Sequence, residues 1–354
     1  RFLNASNADF PALSSLLNTM ADIDTPFTDV QMPFPKVPQD VQMDVGVTVN
    51  HMGLRLQTFQ LQKRGSDARG VIYLCHGYAA HSQFEWFLPP SPGEVHQVYE
   101  GSLLSRLVDE GFLVLFLDHQ SHGRSEGARG LRAYFENYED LAREASDYLR
   151  EVVSASSGLM NLPVFVAGLS MGGCTATLMA LRSPSMYRGM VLMAPMLSLD
   201  LVQEENIACC IKNRHLAPFA GLVSSASPTL PIAAAAINEH DPNAQKELDD
   251  DPLTYTNPVR ARVAEQFLTT TLSLTGGRLR EVTVPFLTMH SVKDTFTDPQ
   301  GSQALYDMAN VEDKTYLKVG AGCDIDRDMW HALATERGCD AVLDEVLAWL
   351  RNRM

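Results

Sequence analysis

The stretch Gly168-Leu169-Ser170-Met171-Gly172, running on into Gly173, constrains this chain more than any other. Ahead of it, Pro163-Val164-Phe165-Val166-Ala167 is a short apolar run that begins after a proline, the pattern of a buried strand. Behind it, Cys174 to Leu181 reads as a helix with an apolar face. A serine at a glycine-flanked passage from strand into helix sits on a sharp, strained turn that exposes its hydroxyl. The turn leaves no room for side chains two positions away on either side, which is why glycine stands there. By composition alone such a five-residue pattern arises in about one chain of this length in ten. The remainder of the sequence therefore has to supply the partners that a reactive serine needs.

The chain has 354 residues, enough for one large core or for a core with an inserted subdomain. Its formal net charge of −15 argues against nucleic acid as a partner and against general attraction to anionic lipid. None of the six cysteines (Cys75, Cys174, Cys209, Cys210, Cys323 and Cys339) falls in a C-x-x-C pair, so neither a zinc site nor a disulfide framework is expected. Cys75 and Cys174 lie in apolar elements, where cysteine acts as a small hydrophobe. The expected compartment is reducing and cytoplasmic, with peripheral membrane association as an extension of it. The visible start has no basic segment followed by an apolar run, so it does not read as a secretory signal.

Residues 1–38 hold prolines and acidic residues without a steady period and read as an N-terminal arm. Val41 to Val49 and Leu54 to Leu61 alternate as an antiparallel pair, turned by Asn50-His51-Met52-Gly53. Val71 to Cys75 and Phe112 to Leu117 are continuous apolar runs, as strands covered on both faces require. Helices are expected at Gly101–Glu110 and Glu136–Ser154. Further strands are expected at Met190–Met193, Pro285–His290 and Thr315–Val319, with a closing helix at Asp340–Arg351. Strands alternating with helices imply right-handed crossovers, hence an α/β fold with a mostly parallel central sheet flanked by helices. The alternation stops near Pro195 and resumes near Val284. Residues 39–195 and 282–354 are thus expected to form the core domain, and 196–281 an inserted helical cap or lid over the carboxyl ends of the strands.

A serine hydroxyl is almost never ionised at neutral pH and needs a general base, which in turn needs an orienting carboxylate. Asp294 follows the strand Pro285–His290 in a loop at its carboxyl end and is the candidate acid. Asp298, four residues on and beside Pro299, competes but has the look of an N-cap for a helix over Gln300–Met308. His331 is the one histidine after Asp294 and is the candidate base. His76 ends a strand, His119 and His122 fall in a turn, and His290 lies within a strand; all are poorer bases. An oxyanion hole needs backbone N–H groups aimed at developing charge. Met171, first after the serine at a helix start, supplies one; Tyr78, in His76-Gly77-Tyr78-Ala79-Ala80 after the first buried strand, is the candidate for the other. On that reading the Tyr78 side chain would also border the pocket.

Five segments together resemble the monoacylglycerol lipase and lysophospholipase branch of the α/β-hydrolases, a group of serine hydrolases also labelled serine aminopeptidase-like. They are His76-Gly77 through His81-Ser82, Asp118 to Gly127, Gly168 to Gly173, Asp251-Pro252-Leu253 ahead of Val284-Pro285, and Ser291 to Asp294 with His331. The block Asp118-His119-Gln120-Ser121-His122-Gly123-Arg124-Ser125-Glu126-Gly127 is the most specific to that branch. The chain departs from the family where Ala79 and Ser121 stand at positions that are often glycine. Trp86–Gln97 reads as an insertion, and Gly320–Met329 makes a long approach to His331. The resemblance implies hydrolysis of carboxylic esters of lipid-like molecules, of monoacylglycerol or lysophospholipid type, through an acyl-enzyme. It implies neither metal nor organic cofactor.

The expected partner is a lipid-like or small ester. Leu216–Asn238 is uncharged and largely apolar, as a lid touching acyl chains or a membrane surface would be, and equally as a segment packed on the core. Two other classes share the same residues: a catalytically silent hydrolase fold used for binding, and a peptidase or thioesterase.

Overall fold

The computed structural model describes residues 32–201, 206–208, 211–212, 220–235 and 237–354. Most of the expected arm, with Cys209, Cys210 and part of Leu216–Asn238, lies outside the described residues. Eight strands share one sheet: β1 (Val41–Val49), β2 (Arg55–Lys63), β3 (Gly70–Cys75), β4 (Phe112–Leu117), β5 (Val164–Leu169), β6 (Gly189–Met193), β7 (Phe286–Ser291) and β8 (Lys314–Val319). Their order is β1-β2-β4-β3-β5-β6-β7-β8. β1 and β2 are antiparallel, turned at Asn50, whose Oδ1 accepts from the N–H groups of Met52 and Leu54 at 2.9 Å each. β2 joins β4 antiparallel, and every later pairing is parallel. The expected α/β-hydrolase fold is the one observed, with β2, next to the edge strand, running against the other seven.

Alternation within the central strands builds two cores. Tyr73, Leu115, Val166 and Leu192 face α3 (Tyr138–Ala155) and α4 (Met171–Arg182), following α1 (Ser82–Trp86) and α2 (Leu103–Asp109) in the chain. Ile72, Val114, Phe165 and Val191 face the other way, against α2 and the last helix. That both residues of each alternation are apolar and buried follows from helices covering both faces.

The segment between β6 and β7 carries α5 (Ala220–Ala226), α6 (Pro242–Asp250) and α7 (Ala261–Gly276). Two short antiparallel pairs accompany them, Asn206–Ala208 with Ile211–Lys212 and Pro231–Ala233 with Val259–Arg260. After β7 come α8 (Pro299–Met308) and, beyond β8, α9 (Cys339–Arg351). Asp298 caps α8, its carboxylate accepting from Gln300 N–H at 2.9 Å.

The expected insertion at Trp86–Gln97 is a clasp. Leu88 bridges Val98, Gly93 N–H donates to Glu247 on α6 at 2.8 Å, and Lys246 Nζ donates to the Gly93 carbonyl at 3.0 Å. The His96 ring stacks on Phe84 at 4.4 Å and reaches Glu247 at 3.0 Å. The long approach Gly320–Met329 closes on itself through Gly320 N–H to the Ile325 carbonyl and Cys323 N–H to the Gly320 carbonyl, both at 3.0 Å. Because β3, β5, β7 and β8 are parallel, the segments that follow them leave the same edge of the sheet, and there the candidate residues collect.

Candidate active site

Ser170 stands between β5 and α4 with φ 56° and ψ −123°, a conformation that L residues rarely hold. It is pinned from outside: its N–H donates to the Met193 carbonyl at 3.1 Å, and its carbonyl accepts from Met196 N–H at 2.9 Å. The glycines are required by packing. A Cβ on Gly168 would strike the Gly172 backbone, and one on Gly172 would strike the Cys75 carbonyl at the end of β3. That close approach sets the start of α4 against the His76–Gly77 loop.

Asp294 lies in the loop after β7, buried to 3% exposure. Its Oδ1 accepts from the N–H groups of Phe296 at 2.8 Å and Thr297 at 3.0 Å. Its Oδ2 accepts from Thr297 Oγ1 at 3.0 Å and meets His331 Nδ1 at 2.7 Å and His290 Nε2 at 3.2 Å. Burial opposes ionisation of this carboxyl, yet the His331 charge and the His290 and His331 hydrogen bonds win and hold its pKa well below the usual carboxylate range. Burial likewise pulls His331 down, but the charge and hydrogen bond of Asp294, with Glu336 and Glu85 behind them, leave its pKa raised above 6.5. The imidazole is therefore set to take a proton at Nε2 while Nδ1–H stays on Asp294.

Three consecutive N–H groups around the histidine converge on one carboxylate. Trp330 donates to Glu336 Oε2 at 2.6 Å, and His331 and Ala332 donate to Oε1 at 2.7 and 2.6 Å. Phe296 packs edge-on against both Trp330 and His331, at 4.2 and 5.2 Å between ring centres. Among the described residues no hydrogen bond joins Ser170 Oγ to His331. A Cβ on Gly77 would lie 3.3 Å from Ser170 Cβ and 2.9 Å from Glu85 Oε2, so Ser170 and Glu85 flank the same glycine.

The loop after β3 is held as firmly. Tyr78 and Met171 both have N–H groups that meet no acceptor among the described residues, as oxyanion donors must. The Tyr78 hydroxyl donates to the Ala133 carbonyl at 3.1 Å, and its ring packs on Phe267 of α7 and on His122. The side chain thus fills the seam between the sheet and the inserted segment. Ala79 and Ser121, the two expected departures from glycine, both adopt left-handed backbone, with φ 66° and 68°. Each costs on the order of 1 kcal/mol and is held by neighbours, Ala79 through its carbonyl on Tyr255 N–H at 2.8 Å and Ser121 through its hydroxyl on the Tyr134 carbonyl. Asp118, which opens the Asp118–Gly127 block, accepts from Ser82 N–H at 3.0 Å and Arg124 N–H at 2.9 Å, tying that block to α1. Asp251, ahead of β7 in the chain, reaches His81 at 3.1 Å with both side chains fully buried.

Sequence reasoning overlooked Glu85, Glu336, Thr297 and the contact of His290 with Asp294. Glu85 had a signal: a lone acid among Phe84, Trp86 and Phe87 is a charge in an apolar setting. Glu336 had none beyond its nearness to His331 in the chain. Among the described residues no cluster of His, Cys, Asp and Glu could hold a metal ion.

The sequence profile of the family described as serine aminopeptidase, S33, matches residues 92–337. A monoacylglycerol lipase of Mycolicibacterium smegmatis is 30% identical over 82% of this chain and 90% of its own length. A monoglyceride lipase of Homo sapiens is 28% identical over 80% of this chain and 83% of its own. Among solved structures, a soluble variant of monoglyceride lipase from Saccharomyces cerevisiae, in complex with a substrate analog, superposes with TM-score 0.68 at 17% identity, covering 91% of this chain and 98% of that one.

If His331 acts as a base, kcat/KM for an ester rises with pH through a limb lying above 6.5, because only the neutral ring accepts a proton. Asp294→Asn removes the charge that raises His331, so the limb moves to lower pH and kcat falls by about 10⁴. A pH–rate profile of the two proteins on one soluble ester checks both the shift and the loss.

Proposed function

The chain belongs to the serine aminopeptidase (S33) family of α/β-hydrolases, a carboxylic ester hydrolase like the monoacylglycerol lipases, and on that footing we propose that it cleaves single-chain lipid esters through an acyl-enzyme on Ser170. The observation that carries the reading is the Asp294–His331 hydrogen bond of 2.7 Å at the edge of the sheet where Ser170 leaves β5. Ser170 Oγ attacks the ester carbonyl carbon while His331 Nε2 takes its proton. The carbonyl oxygen becomes an oxyanion facing the N–H groups of Tyr78 and Met171. Collapse breaks the bond to the alcohol oxygen, which leaves with the proton that His331 returns. Water then attacks the acyl-serine while His331 takes a proton from it. As the acyl–Oγ bond breaks, His331 gives that proton to Ser170 Oγ, releasing the fatty acid and restoring both residues. Asp294 keeps Nδ1–H in place and balances the imidazolium throughout.

Residues 196–281 are read as a cap. Leu222 at 73%, Ile237 at 60% and Ile232 at 46% exposure favour contact with lipid over packing on the core. No described helix is long and apolar enough to cross a membrane, so any contact of this face with a bilayer is at its surface.

The direct experiment offers monoacylglycerol, lysophosphatidylcholine, a p-nitrophenyl ester series, a thioester and an aminoacyl amide to the wild-type chain and to Ser170→Ala. Release of fatty acid from monoacylglycerol, lost by at least about 10⁴-fold in the variant, is expected. Turnover of the amide alone would replace the lipase reading with a peptidase, and no turnover by the wild type of any of them would favour a silent module. Sedimentation with neutral phosphatidylcholine vesicles tests the surface. Leu222→Ser, Ile232→Ser and Ile237→Ser combined are expected to lower the bound fraction severalfold while leaving turnover of a water-soluble ester intact, and an unchanged bound fraction would contradict it.

A further inference from the structure

Glu85 is a buried carboxyl, 4% exposed, that the proton transfers described above do not use. Its Oε2 accepts from Gly77 N–H at 2.6 Å, a buried bond. On the other side of the same residue, His76 Nδ1 is 2.8 Å from the Gly77 carbonyl oxygen. The tautomer of that histidine follows from its second nitrogen. His119 N–H donates to His76 Nε2 at 2.8 Å, so Nε2 is bare. Burial pushes the ring's pKa down to about 3, so it stays neutral and Nδ1 carries the hydrogen. Gly77 is therefore gripped at both ends, its N–H by Glu85 and its carbonyl by His76.

The carbonyl of Gly77 and the N–H of Tyr78 belong to one planar trans peptide, in which the two bonds point in opposite directions. Fixing one aims the other. A hydrogen bond to that carbonyl also polarises the peptide and makes the Tyr78 N–H a stronger donor. His76 alone would leave the plane free to pivot about the Gly77 Cα, because glycine adds no side chain to stop it. Glu85 closes that freedom by fixing the preceding peptide. The glycine is obligatory here, since a Cβ would press on both Glu85 and Ser170.

We propose that Glu85 is a positioning residue which, with His76, locks the Gly77–Tyr78 peptide so that the Tyr78 N–H points at the oxyanion of the acylation and deacylation steps. The role rests on the oxyanion reading of Tyr78 given above and adds to it the group that enforces the aim. A carboxyl oxygen accepts the Gly77 N–H whether or not it is protonated, so the grip holds across the working pH range.

The test compares Glu85→Met, which fills the space but accepts no hydrogen bond, with Glu85→Gln, whose amide oxygen does. Each is assayed for kcat and KM on monoacylglycerol and for inhibition by an alkyl boronic acid, which bonds to Ser170 and places an oxygen in the oxyanion position. Glu85→Met is expected to lose about tenfold or more in kcat, lose boronate affinity by the same factor and keep its KM, since misaiming weakens what is bound only in the transition state. Glu85→Gln is expected to recover most of both losses. A kcat loss in Glu85→Met without a matching loss of boronate affinity overturns the proposal, as does a Glu85→Met chain with wild-type kcat. If Glu85→Met fails to fold, Glu85→Gln decides: a tenfold loss of boronate affinity at unchanged melting temperature would show that charge, not the hydrogen bond to Gly77, matters there. Boronate inhibition that survives in wild type but vanishes in Ser170→Ala keeps the underlying serine-hydrolase reading intact whichever way Glu85 behaves.

Discussion

The left-handed backbone of Ser170 is the constraint from which the rest of the site follows. A residue with φ 56° persists only when its surroundings over-determine it. Here β5 arrives between β3 and β6, and α4 starts so close to β3 that Gly172 lies on the Cys75 carbonyl. The Met193 and Met196 backbone then ties the turn to the end of β6. Strain in one residue is thus balanced by the packing of three strands and a helix. The same packing brings the first free N–H groups of α4 up to the loop that follows β3.

Carboxylates do much of the holding at this edge. Asp294 orients His331, Glu336 gathers the N–H groups on either side of that histidine, Glu85 holds Gly77, and Asp118 and Asp251 fasten α1 and His81. Each is buried or half-buried and accepts at least one hydrogen bond, the condition under which a buried charge is tolerable. The arrangement is rigid where the chemistry needs fixed atoms. The segment between β6 and β7 differs, showing large apolar side chains such as Leu222 and Ile237 to solvent.

The strands were legible because their signals are local. Val71–Cys75 and Phe112–Leu117 are apolar on both alternating faces, and the observed β3 and β4 match them to within a residue. The turn at Asn50–Gly53, the N-cap at Asp298 and the glycines around Ser170 are likewise written in neighbouring residues. Chain order in such a fold narrows the candidates to Ser170, Asp294 and His331, and of these the structure joins Asp294 to His331 by a hydrogen bond. Glu85 and His290 could not be placed, since their partners are set by how loops from different strands meet. The clasp between Gly93 and Glu247 was equally invisible, for its two halves are far apart in the chain. Tyr78 shows the limit from the other side: its backbone position was readable, whereas its ring's place against Phe267 depended on where the inserted α7 lands.

On the reading we propose, Ser170 is a nucleophile made reactive by its own turn and by His331. Mass-spectrometric peptide mapping after treatment with a fluorophosphonate reports on that directly. A single phosphonyl adduct on the peptide containing Ser170, formed with concurrent loss of ester hydrolysis, is the expected result. An unmodified Ser170 after prolonged treatment, or an adduct elsewhere that abolishes turnover while Ser170 stays free, would contradict it.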